Sequence, residues 1–141
     1  MGHRFELQTK KTLKAPASTI FELLQSAKGI KAWWREMRVD KQDGPDAGVG
    51  LVIAFESDGE ITEKWTITRI SEHQSVTYAV EFVGFGTVER TLSIEPINNE
   101  AQVVWYETGE FESAITPEQR EQTLGNFDMA LTMLDEAARK T

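Results

Sequence analysis

Glu63 and Arg90 are the charged residues whose positions point to chemistry. Glu63 alternates with Ile61, Trp65 and Ile67, and Arg90 alternates with Val88, Leu92 and Ile94. Residues two apart in a β-strand share a face, so both charges are expected on the apolar side of the layer they belong to. A lone buried charge is costly, so the two are expected to pair with each other or to meet water in a cavity. Such groups can anchor a ligand carbonyl or carboxylate, or transfer protons through a carboxyl of raised pKa. The alternative is a strand end or bulge that turns them to solvent.

Aromatic residues supply the second signal, with four tryptophans in 141 residues. Trp33, Trp34 and Trp65, with Phe55, Tyr78, Phe82 and Phe127, are candidates to line a pocket for a flat apolar molecule; the alternative is an ordinary core. Leu131 joins them from the C-terminal apolar stripe, and Asp128, next to Phe127, is expected either to face the cavity and meet Arg90 or Tyr78, or to flank the stripe in solvent. Glu107 is in phase with Val103 and Trp105 and poses the same question as Glu63. Burying about 300 Å² of an apolar ligand contributes roughly 7 kcal/mol before the cost of association. No catalytic residue is assigned, because no Ser-His-Asp set is legible.

Composition excludes other classes. There is no cysteine, so disulfides and thiolate chemistry are excluded, and with only His3 and His73 no metal site and no cofactor is expected. Fifteen basic residues against twenty-three acidic ones give a net charge of −8, which argues against nucleic acid or an anionic membrane as partner. No apolar run is long enough for a membrane span, and the polar start carries no apolar signal core, so the expected location is the cytoplasm. Gln42–Gly50 has glycines but no Gly-Lys-Ser/Thr ending, so it reads as a flexible lip near a pocket mouth and not as a phosphate loop.

These side chains need elements to hold them. Phe5 to Leu13 alternates as a first strand; Ile20, Phe21, Leu23 and Leu24 recur at helical spacing; Gly29 interrupts; and Ile30, Trp33 and Trp34 suggest a second short helix. From Leu51 the period becomes two, with turns at Asp58-Gly59, Ser71–Ser75, Gly84–Gly86 and Asn98-Asn99. The phase of Val103–Phe111 is open, because both parities carry apolar residues. Thr116-Pro117-Glu118-Gln119 starts a long helix striped by Leu124, Phe127, Leu131, Leu134 and Ala138. The expected fold class is α+β, one domain over residues 1–141. A curved antiparallel β-sheet of about seven strands wraps around a long C-terminal helix, with two short helices after strand 1. A bent sheet and a straight helix touch at one end and diverge at the other, which leaves a hollow.

The layout resembles the START-like (SRPBCC, or helix-grip) superfamily. Ala15–Phe21 followed by Ile30–Trp34, Gly59–Trp65 with Val76–Tyr78, and the closing helix from Thr116 to Leu134 are similar to its branch related to the activator of Hsp90 ATPase and to polyketide cyclases. Ser71-Glu72-His73-Gln74 stands where that branch has an arginine- and proline-rich turn. The resemblance implies a cavity for a small hydrophobic or aromatic molecule or lipid, and a monomer or weak homodimer. It carries over no catalytic residue. The reading adopted is ligand binding. The alternatives are a cyclase, dehydratase or hydrolase using Glu63, Asp128 or Tyr78, and a co-chaperone-like interaction domain.

Overall fold

The computed structural model describes residues 2–35, 38–111 and 113–141, with Asp40 by its backbone alone. Its elements run β1 (His3–Leu13), α1 (Ala17–Gln25), α2 (Ala27–Trp33), β2 (Arg38–Asp43), β3 (Val52–Ser57), β4 (Glu60–Ser71), β5 (Ser75–Phe82), β6 (Gly86–Ile97), β7 (Glu100–Phe111) and α3 (Pro117–Arg139). The strands form one seven-stranded antiparallel sheet in the order β1-β7-β6-β5-β4-β3-β2. The α+β helix-grip architecture is therefore as expected. Among the described residues no helix is long and apolar enough to cross a membrane.

β2 is an addition to the expected elements. Its sequence, Arg-Val-Asp-Lys-Gln-Asp, offers a single apolar residue, because a charged edge strand does not alternate visibly. Gln42 and Asp43, expected in a loop, close this strand. The remaining loop, expected as a lip at a pocket mouth, borders a shallow depression beside α1 and α2, lined by Asp46 and Ala47, and none of it lines the cavity under α3. Its Asp46 carbonyl accepts from the Ala27 N–H at 2.8 Å, and its Gly48 N–H donates to Gln25 at 2.9 Å, which ties it to the junction of α1 and α2.

Register shifts between Val39 and Lys41, Phe55 and Glu56, and Ile67 and Arg69 interrupt the ladders of β2, β3 and β4, the kind of irregularity that bends a strand and increases its twist. The second shift inserts Thr62 between paired positions and leaves Ile61 exposed at the hairpin, off the covered face where alternation had put it. The hairpin itself has Asp58 and Gly59 at φ of 54° and 83°, the left-handed pair that a two-residue turn of this hand requires.

The helices cover the concave face. α1 and α2 meet at Ser26, whose hydroxyl caps α2 by accepting from the Gly29 N–H at 3.0 Å. The break between the helices is thus at Ser26, and Gly29 lies inside α2. A side chain at Gly29 would stand 2.5 Å from Leu23 Cα, so glycine is what lets α2 lie on α1. α3 begins with a reciprocal capping box between Thr116 and Gln119, with distances of 3.1 and 2.8 Å. Its burial is unequal along its length. Nothing from Pro117 to Asn126 is buried, whereas Phe127, Ala130, Leu131, Leu134 and Ala138 are. The helix grips the sheet with its C-terminal half and lifts away with its first turns.

Candidate functional site

A cavity of about 310 Å³ opens where α3 leaves the sheet. Its walls come from β4 (Glu63), the end of β5 (Phe82), β6 (Arg90), β7 (Trp105 and Glu107), the residue after α2 (Trp34) and the first turns of α3 (Thr123, Asn126 and Phe127). A smaller recess of about 140 Å³ toward β1 shares Phe82, Glu107 and Thr123 with it. An open trough outside shares Thr123 and Asn126 and is rimmed by Gly84, Phe85 and Phe111. The mouth therefore lies between the β5–β6 turn and the start of α3.

Arg90 is the polar centre of this cavity and is almost wholly buried. It stands opposite Glu107 in the β6–β7 register, and its Nε and Nη2 donate to the two Glu107 oxygens, each at 3.2 Å. Its guanidinium is also held between two indoles, 4.7 Å from the Trp65 ring centre and 4.8 Å from that of Trp105. The same indoles donate their N–H groups to the acids: Trp65 to Glu63 at 2.7 Å and Trp105 to Glu107 at 3.0 Å. A planar guanidinium can stack on two rings while binding a carboxylate edge-on, which a lysine ammonium cannot do. Of the two expectations for Glu63 and Arg90, that they pair with each other or that they meet a cavity, the second fits, since both line this one; the first does not hold for Arg90. Its partner is Glu107, because β6 pairs with β7 in that register while β4 lies beyond β5.

Two donors in this wall have no partner among the described residues: Arg90 Nη1 and the indole Nε1 of Trp34. Trp34 is 8% exposed and Arg90 3%. Buried polar atoms are almost always hydrogen-bonded, so two unpartnered donors on side chains that line one cavity call for an explanation.

Among the residues expected to touch a ligand, Trp34, Glu63, Phe82, Arg90 and Phe127 line the cavity. Trp33, Phe55, Trp65, Tyr78 and Leu131 are fully buried behind its wall. Trp33 donates its indole N–H to the Leu23 carbonyl at 2.9 Å, and Phe55 packs on Trp65 with ring centres 5.1 Å apart. The Tyr78 hydroxyl, expected as a ligand donor, is instead engaged by the Leu24 carbonyl. Burial pushes its phenol far above the ordinary range, against the opposing pull of Arg90. Asp128 is placed outside. One residue past Phe127 is a rotation of about 100° around a helix, and this turns it to solvent, where Lys11 Nζ lies 3.3 Å away. Tyr106 lies on the exposed face, and a hydrogen bond to Glu6 raises its phenol above the usual value.

Thr123 and Asn126 were not among the expected site residues. A signal exists: Thr123 precedes Phe127 by four residues, so it continues the stripe with a polar side chain. Among the described residues, no group of three or more His, Asp or Glu side chains is placed to hold a metal ion.

Known proteins place this geometry in a family. The sequence matches the family model described as polyketide cyclase / dehydrase and lipid transport over residues 4–139. A search of curated proteins gives no match. Solved structures share the fold. The Aha1 dimer from Colwellia psychrerythraea is 18% identical with a TM-score of 0.69, over 95% of this chain and 96% of that one. A protein from Rhizobium leguminosarum is 15% identical with a TM-score of 0.78, over 100% and 98%. A protein from Chromobacterium violaceum is 18% identical with a TM-score of 0.73, over 94% and 96%. With its helix-grip architecture and a family match spanning nearly its whole length, this chain belongs to the polyketide cyclase / dehydrase and lipid transport family of the START-like superfamily.

Proposed function

We propose that this protein binds a small hydrophobic or amphipathic molecule in the cavity between the sheet and the N-terminal half of α3. The observation that carries the reading is the cavity itself, about 310 Å³, walled by aromatic side chains and holding a few fixed polar groups. Its size lies at the lower end of small-molecule pockets, which are mostly apolar with sparse polar anchors. The family's description, with lipid transport and polyketide chemistry side by side, supports the same class of ligand.

The test is a titration with the neutral fluorophore N-phenyl-1-naphthylamine. Saturable binding at one site per chain, in the micromolar range, is expected. Thr123→Phe, which places a ring where the cavity, its recess and the outer trough join, should abolish it. Absence of saturable binding to the unaltered protein, or unchanged binding by the variant, contradicts the reading.

An enzymatic version has one specific support, the Glu63 carboxylate in the cavity wall. In a cyclisation or dehydration it would serve as the acid–base group. Glu63→Gln should then abolish turnover while leaving fluorophore binding intact.

A further inference from the structure

We infer that the natural ligand presents a neutral carbonyl-type oxygen to Arg90 Nη1, with the Trp34 indole N–H as a second donor. The inference rests on the proposed function and adds to it the polar chemistry of the ligand. Guanidinium and indole N–H groups only donate, so whatever completes them must accept. Both belong to side chains that are more than nine-tenths buried, both line the same cavity, and neither has a partner among the described residues. The bidentate edge of Arg90 is occupied by Glu107, which leaves Nη1 as the nitrogen available to a ligand.

Charge decides which acceptor fits. Among the described residues the cavity wall carries one cation, Arg90, and two acids, Glu63 and Glu107, a formal charge of −1. The positive charge of Arg90 is already met at 3.2 Å by Glu107. A ligand carboxylate would bring a third acid beside two buried ones. A ketone, ester or amide oxygen accepts the same hydrogen bonds without adding charge. Shape agrees: Trp34, Phe82 and Phe127 give the wall aromatic surfaces on both the sheet and helix sides.

The test compares three ligands of one shape by calorimetry: 2-acetonaphthone, its alkene isostere 2-isopropenylnaphthalene, and 2-naphthoate. The ketone is expected to bind at least about tenfold more tightly than the alkene, because the alkene leaves buried donors unpaired. It should also bind more tightly than the carboxylate. In Trp34→Phe, which keeps an aromatic ring and removes one donor, the preference for ketone over alkene should shrink by about fivefold. Equal binding of ketone and alkene overturns the inference and leaves the proposed function standing; that is the result expected if water already satisfies the donors. Tightest binding of the carboxylate overturns the inference in the same way. An unchanged ketone preference in Trp34→Phe removes Trp34 from the inference. Failure of all three to bind overturns the proposed function together with the inference.

Discussion

Arg90 and Glu107 face each other directly across β6 and β7, joined by two hydrogen bonds of 3.2 Å, and both are buried. A pair of this kind is costly to desolvate and still more costly to break, because the survivor is a buried charge without its counterion. Arg90→Met alone should therefore lower stability by about 3–5 kcal/mol. The double variant Arg90→Met with Glu107→Leu should recover most of that loss. Urea denaturation of the variants checks this; equal losses in the single and double variants would show that the pairing is not what the site depends on.

Tyr78 gives a pH dependence of definite sign. Its phenol is held far above the ordinary value of 10.0 by burial in the folded chain, whereas in the unfolded chain it ionises near that value. The unfolded state thus releases a proton that the folded state keeps. Stability is fully present below about pH 10 and falls above it, by at most about 1.4 kcal/mol per pH unit from this residue. Denaturation midpoints between pH 9 and 11 should show the fall, and Tyr78→Phe should flatten it. A fall of equal slope in that variant would assign the effect elsewhere.

Gly29 tests how the two short helices position Trp34. An added Cβ would meet Leu23 backbone atoms at 2.5, 2.6 and 2.8 Å, none of which can swing aside. Gly29→Ala should destabilise the fold by about 3 kcal/mol through overpacking. It should also weaken fluorophore binding, since Trp34 immediately follows α2. A variant of unchanged stability would mean that α1 and α2 separate freely.

The indole N–H signals report on the same site. Trp33, Trp65 and Trp105 donate to Leu23, Glu63 and Glu107, whereas Trp34 has no acceptor among the described residues. In nitrogen–proton spectra, 2-acetonaphthone should move the Trp34 indole signal downfield. A ketone that binds and leaves the Trp34 signal in place would show that this N–H is not one of its donors.

Much of the fold is legible in the residues. Period-two alternation puts Glu63 and Arg90 on the covered face because one side of each strand is apolar and the sheet must hide it. The capping signature at Thr116 marks the start of α3 because local hydrogen bonds fix it. What fails to show is what depends on pairing between distant strands. Arg90 meets Glu107 through the β6–β7 register, and alternation within a strand says nothing about its neighbour's register. β2 escapes notice because an edge strand of mostly polar residues has no apolar period to read. For Asp128 the choice between cavity and solvent turns on helix rotation, since adjacency to Phe127 in sequence is divergence on a helix.

A crystal structure of the complex with 2-acetonaphthone tests the central claim most directly. The ketone should lie between α3 and the sheet, its rings against Trp34 and Phe127, and its oxygen within about 3 Å of Arg90 Nη1. A ligand found only on the outer surface, with Arg90 Nη1 still unmet and the interior closed by repacked side chains, would contradict it.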